Sequence, residues 1–190
     1  MDDGAIAPAR HKLDVETLYR MADAGIFGED DRIELIDGEL IDMAPIGFDH
    51  AATVNGLTHA LVMACHGRAI VSVQNPVRID RLNEPQPDFV LLRLRADNYR
   101  AAPRGGPEDA LLVVEVADSS LRFDRSVKLP LYARAGFAEL WIVDLKHRVL
   151  TAYRDPVEDD YATVQTYRSG DTLALALAPE IAITLDNVFD

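Results

Sequence analysis

The chain has one cysteine, few aromatic residues (7%) and no hydrophobic run near the ~20 residues that span a bilayer. A lone cysteine excludes an internal disulfide. Cys65 sits in an apolar helical segment and reads as a small buried hydrophobe rather than a reactive thiol. The N-terminus lacks the charged-then-apolar plan of a secretory signal, so a soluble, cytoplasmic protein with no membrane partner is expected. No glycine-rich phosphate loop, zinc-type Cys/His spacing, internal repeat or low-complexity stretch occurs. Basic residues are also scarce, 19 Lys and Arg against 32 Asp and Glu for a formal charge of −13. That balance speaks against a nucleic-acid partner, because phosphate binding is driven by Lys and Arg.

What is present fits one domain over residues 1–190, with 48% hydrophobic content for a core and a poorly ordered tail at Met1–Lys12. Charge is segregated along the chain. Residues 93–104 (Arg93, Arg95, Arg100 and Arg104 against Asp97) and 122–134 (Arg122, Arg125, Lys128 and Arg134 against Asp124) each carry a net +3. Both segments are expected to flank the acidic site described next, either as a rim that grips phosphate or as an ordinary solvated loop and helix face.

Two apolar runs of strand length each hold one carboxylate: Pro87-Asp88-Phe89-Val90-Leu91-Leu92 and Leu111-Leu112-Val113-Val114-Glu115-Val116-Ala117. The second reads as a central strand buried on both faces, where an ionised Glu115 is costly unless something positive meets it. A hard divalent cation shared with Asp88 on the neighbouring strand is the simplest partner. A lysine nearby would complete a hydrolytic site.

The flanking pattern supplies the other elements. Asp14 caps a short helix through Ala24, with Gly25 as its stop. Asp37-Gly38 joins Arg32–Ile36 to Glu39–Met43 in a tight hairpin, with Glu34 and Glu39 on the same face as Ile36 and Ile41. Which face is buried stays open. Val54, Leu57, Leu61 and Cys65 mark an amphipathic helix from His50, with Asp49 as its cap. Ala69–Val73 reads as a strand continued by Pro76–Ile79, and Gln86–Leu92 as the next. A helix from Asp124 to Ala135 presents Val127, Leu131 and Ala135 and ends at Gly136. In it Lys128 stands four residues after Asp124, the spacing of a surface ion pair. Glu139–Leu145, holding the core residue Trp141, Arg148–Arg154, Tyr161–Tyr167, Thr172–Leu177 and Ile181–Leu185 complete the strands, with an acidic turn at 156–160.

In combination, Glu34-Leu35-Ile36-Asp37-Gly38-Glu39-Leu40, His50, Pro87-Asp88, Val114-Glu115-Val116-Ala117-Asp118-Ser119-Ser120, Asp124-Arg125-Ser126-Val127-Lys128, Tyr132-Ala133 and Glu139-Leu140-Trp141-Ile142-Val143-Asp144 resemble the Uma family of restriction-endonuclease-like proteins, within the PD-(D/E)XK nuclease superfamily. The resemblance implies an α/β (α+β) fold with a restriction-endonuclease-like core: a central mixed β-sheet flanked by helices, an N-terminal β-hairpin and C-terminal antiparallel strands. One departure stands out: the usual lysine slot of the acid-X-Lys motif holds Ala117, and the lysine looks to have moved to Lys128 on the next helix. By resemblance Asp88, Glu115 and the main-chain carbonyl of Val116 would hold Mg²⁺ or Mn²⁺. Lys128 would orient water or stabilise the transition state, with Glu34 and His50 as further catalytic candidates and Tyr132 reaching the same pocket.

The expected function is metal-dependent phosphodiester hydrolysis in DNA by a homodimer or higher homo-oligomer. Lys128→Ala is expected to keep metal binding and fold but lose cleavage. Two rivals remain. One is a non-catalytic DNA- or protein-binding module on the same fold, favoured by Ala117 and by the charge of −13. The other is a hydrolase using Asp88 and Glu115 as an acid/base pair on sugars, disfavoured by the few aromatics.

Overall fold

The structure, a computed structural model, describes residues 10–28, 30–101, 105–186 and 188–189. Its centre is a six-stranded sheet in the order β3-β4-β5-β6-β7-β8, built from β3 (Ala69–Val73), β4 (Phe89–Arg93), β5 (Ala110–Ala117), β6 (Glu139–Asp144), β7 (Val149–Val157) and β8 (Asp160–Tyr167). β5 and β6 are parallel and every other neighbour pair is antiparallel. All eight residues of β5 are buried, as its unbroken apolar run requires of a strand covered on both faces.

The two faces carry separate cores. Helix α2 (Phe48–Cys65) lays Val54, Leu57, Leu61 and Cys65 against Phe89, Leu91, Leu112 and Val114. Leu173 and Ile183 of a small hairpin, β9 (Thr172–Ala174) with β10 (Ala182–Thr184), join the same cluster. The other face is covered by α4 (Leu129–Ala135), whose Leu129, Tyr132 and Ala133 meet Val90, Val113, Leu140 and Ile142. The mixed sheet, flanking helices, leading hairpin and trailing strands match the architecture expected from sequence.

At the N-terminal end α1 (Val15–Asp23) starts at Asp14, whose side chain accepts from the Thr17 N–H at 2.9 Å. The hairpin β1 (Ile33–Ile36) and β2 (Glu39–Asp42) turns at Asp37 and Gly38, both at positive φ. Glu34 pairs with Ile41 and Ile36 with Glu39 in its register. Ahead of it, Arg10 pairs with Glu39 at 3.0 Å; residues 1–9 lie outside the described residues.

Four local expectations are corrected. Pro76–Ile79 is no strand: it belongs to an ordered loop from Gln74 to Asp88 in which Val77 and Ile79 donate to the carbonyls of Pro85 and Asn83. β4 begins at Phe89, so Asp88 stands just ahead of the ladder. Gly47, not Asp49, occupies the N-cap of α2. The trailing strands are shorter than expected, three residues each.

The helix expected from Asp124 starts instead at Leu121. A short α-helical turn, α3 (Leu121–Phe123), runs into a π-helical turn (Asp124–Lys128) and then α4. Pro130 supplies a reason. It has no N–H for the Ser126 carbonyl and its ring crowds that oxygen, so the turn widens, and the Leu129 N–H bonds back five residues to Asp124. The extra residue shifts the buried face: Asp124 and Lys128, polar and four apart, both point inward.

Candidate active site

The site forms where the head of β4, the end of β5, the hairpin and the π-turn converge. Glu115 and Asp88 lie on the sheet face covered by α4, since each alternates with a residue of that core, Val113 and Val90. The π-turn aims Lys128 at the same place. Its Nζ lies 2.8 Å from Glu34 Oε1 and 3.1 Å from Glu115 Oε1, with side-chain exposures of 4%, 2% and 5%. An ammonium thus stands beside the carboxylate whose own motif has Ala117 in the lysine slot. The Tyr132 hydroxyl, one turn on, donates to Glu115 Oε1 at 2.7 Å.

Asp88 is held by three donors. The Val116 N–H donates at 2.8 Å and the Gln74 side chain at 3.1 Å, while His50 Nε2 lies 3.2 Å away. The ring of His50 reaches it from the first turn of α2, and its Nδ1 is buried with no hydrogen-bond partner among the described residues. Glu34 also accepts the Gln86 N–H at 2.7 Å, which ties the hairpin to the Pro87-Asp88 approach. Asp124 is buried and accepts from the Ser120 hydroxyl at 2.6 Å.

These groups line a cavity of about 320 Å³, walled by Arg32 and the 41–47 segment on one side and by Asp118–Ser120 and Phe123 on the other. Its electrostatics follow from burying four acids around one lysine. Burial pushes the Glu115 carboxyl well above the usual range; Lys128 opposes this, while Asp124, Glu34 and Asp88 add to it. Burial likewise raises Asp124. For Lys128, burial disfavours the charge, but Glu115, Glu34 and Asp124 outweigh it and its pKa is raised. Burial also works against the Asp88 charge; the His50 hydrogen bond and those from Val116 and Gln74 prevail and its pKa is lowered. The Asp88 hydrogen bond raises His50 in turn, against its own desolvation.

Asp88, Glu115, Val116, Lys128, Glu34 and His50 are therefore brought together, and the open question about the hairpin is closed: Glu34 faces in, 1% exposed. The arginine loop is not brought there. It joins β4 to β5 at their far ends, a strand length (about 17 Å) from Asp88, because residues adjacent in an antiparallel hairpin are separated by the strand itself. Arg95 in that loop is clamped to Asp97 at 2.7 Å and stacks 4.4 Å over Tyr99. Arg104 lies outside the described residues. Arg122 and Arg125 stay exposed on the turns that carry Phe123, Asp124 and Lys128.

Gln74, Gln86, Ser120 and the buried state of Asp124 were not foreseen. Gln86 adjoins Pro87-Asp88, a signal that could have been weighed. Nothing local marks Gln74, which reaches Asp88 only because the loop after β3 folds back.

As to a metal, no group of three or more His, Cys, Asp or Glu side chains among the described residues is spaced as a ready-made cage. The carboxylates that could hold an ion are Asp88 and Glu115, which line one cavity and repel each other. Such a sparse, all-oxygen set fits Mg²⁺ or Mn²⁺, which keep several waters, better than an ion needing a full protein shell.

Comparison with known proteins agrees with the fold. A family model described as Uma2, putative restriction endonuclease, matches residues 15–186. The crystal structure of a putative nuclease belonging to DUF820 from Anabaena variabilis superposes with a TM-score of 0.66 at 13% identity, covering 89% of this chain and 96% of that one. No curated protein matches the sequence.

Proposed function

This chain belongs to the Uma2 family, described as putative restriction endonucleases, and from that premise we propose that it is a Mg²⁺- or Mn²⁺-dependent endonuclease cleaving phosphodiester bonds in DNA. What carries the reading is the buried Lys128 ammonium, held by Glu34 and Glu115 in the cavity that Asp88 also lines. Asp88 and Glu115 would hold the ion together with the carbonyl of Val116, whose N–H already faces Asp88. When bound, the ion acidifies a coordinated water and neutralises charge on the scissile phosphate.

The remaining work belongs to the chain. Lys128, fixed and desolvated, stabilises the charge that builds on the phosphate oxygens, where a preorganised cation acts most strongly. Glu34 and Tyr132 are positioning residues that hold Lys128 and Glu115 in place. His50 positions Asp88 and favours its ionised form.

Burial changes the choice of variant. Lys128→Ala would leave Glu34 and Glu115 buried without their cation, a loss of about 3–5 kcal/mol, so the fold itself is put at risk. Lys128→Gln retains a donor. Calorimetric titration of Mn²⁺ and Mg²⁺ into the wild type, Asp88→Asn and Lys128→Gln, with supercoiled plasmid nicking in parallel, tests the proposal. The expected result is metal binding lost in Asp88→Asn, and binding kept but nicking slowed about 10²-fold or more in Lys128→Gln. Neither binding nor nicking by the wild type would leave the rival, a non-catalytic binding module, as the reading. That rival gains from the distance of the arginine loop and the charge of −13.

A further inference from the structure

The walls of the candidate cavity carry apolar side chains that the cleavage chemistry does not use. Ile41, Met43, Pro45 and Ile46 line it on the hairpin side and Phe123 lines it on the other. Among the described residues, none of the five packs into either core cluster of the sheet. Ile46 is 45% exposed and Phe123 is half-buried, so both are left available to a body that enters the cavity.

The size and charge of the space say what that body is. At about 320 Å³ it stands at the small end of the about 300–1,000 Å³ of pockets that hold one small molecule, room for a nucleotide and not for a duplex. Lys128, Glu115 and Asp88 are recessed in it, with side chains 4%, 5% and 9% exposed. A phosphate has to enter to meet them, and its sugar and base come with it. The two walls come together at Gly47, where a Cβ would stand 3.3 Å from Asp118 Oδ2. Exposed acids, Asp42 and Asp118, stand on opposite walls in a chain of −13, so ionic grip alone does not seat two phosphate backbones here. Stacking of a base on an aromatic ring needs no such grip and tolerates any sequence.

We propose that this chain acts on DNA whose scissile nucleotide is out of the base stack, as in a single strand, flap or bulge, and that its base lodges between Phe123 and the Met43–Ile46 wall. This rests on the reading of the cavity as the place of phosphodiester cleavage and names the substrate class for it. In an intact duplex the base must first be unstacked and unpaired, a cost that falls away in a single strand.

Fluorescence anisotropy in Ca²⁺ compares a single strand, the blunt duplex of the same sequence, and a strand of equal length and charge whose central nucleotides are abasic. The single strand should bind about tenfold or more tighter than the duplex, and about fivefold or more tighter than the abasic strand, the loss of one stacked base. Phe123→Ala should abolish the difference between the normal and the abasic strand, and Phe123→Tyr, which keeps a ring, should retain it. Ile46→Ser, at a surface position, should narrow the difference with no change in thermal midpoint. In Mg²⁺ or Mn²⁺, supercoiled plasmid, which opens locally, should be nicked faster than the same plasmid linearised, read on a denaturing gel. No binding to any strand, equal binding of single strand and duplex, or discrimination against abasic DNA that is unchanged in Phe123→Ala would each overturn the proposal. Preference for the unstacked strand without cleavage would sink the endonuclease reading and leave the base slot standing. Cleavage of intact duplex as fast as of a single strand would do the reverse.

Discussion

At the scale of single residues, the site is dominated by one cation answering more acid than it can neutralise. Glu115 shows the consequence: its carboxyl titrates well above the ordinary value because burial disfavours its charge. A carboxyl whose folded pKa stands above its unfolded value of about 4.3 costs stability as pH rises from that value through the raised one. At low pH, where it is protonated in both states, the cost is absent. Glu115→Gln should therefore equal the wild type near pH 4 and exceed it at pH 8 in EDTA, by about 1.4 kcal/mol for each unit of the shift. The amide oxygen still accepts from Lys128 and Tyr132, so packing is kept. Thermal midpoints at the two pH values check this, and a variant less stable than the wild type at pH 8 contradicts it. The Glu34–Lys128 contact behind this balance joins residues 94 apart in sequence. No local pattern could reveal it; only resemblance to a family pointed to both.

Secondary elements decide how those residues reach one another, and the hairpin is the clearest case. Gly38 sits at φ +73, and a Cβ there would stand 2.7 Å from the Lys12 side chain and 3.0 Å from the Leu13 carbonyl. Its N–H donates to Leu82 and its carbonyl accepts from Leu13, so the turn cannot simply swing away. Gly38→Ala should cost about 1–3 kcal/mol through backbone strain and contact. Urea unfolding would show it, and an unchanged midpoint would refute the tight turn. In cleavage assays the same variant should lose rate at temperatures where it is folded, because β1 carries Glu34. Asp37-Gly38 was legible from sequence because turn chemistry is local, as was the capping of α1 by Asp14. Pro76–Ile79 misled because short apolar stretches look alike in loops and strands. In the Asp124–Lys128 segment a 3.6-residue period assumes a regular helix, and the π-turn inserts a residue that turns Asp124 inward beside Lys128, which the family resemblance had already placed at the carboxylates.

Across the whole molecule, charge is divided in a way that local reading of the chain distorts. Residues 93–104 looked like part of the site because they follow Asp88 closely, yet β4 carries the described part of this segment, residues 93–101, to the opposite end of the sheet. Arg95 is engaged by Asp97 and Tyr99, which leaves little to offer a phosphate. Arg122 and Arg125 are different: they are exposed on the turns that present Asp124 and Lys128 to the cavity. If DNA lies across that cavity, these two arginines meet its backbone, and Arg95 and Arg100 of the loop do not. Removing one arginine from a phosphate should lower the slope of log affinity against log salt by about 0.9. Arg122→Gln with Arg125→Gln should therefore cut the slope by about 2 and weaken binding evenly across sequences, whereas Arg95→Gln with Arg100→Gln should leave it unchanged. Fluorescence anisotropy on a duplex in EDTA or Ca²⁺, from about 50 to 200 mM salt, separates the two pairs. A slope that falls for the loop pair instead would move the DNA path to the other end of the sheet and away from Lys128.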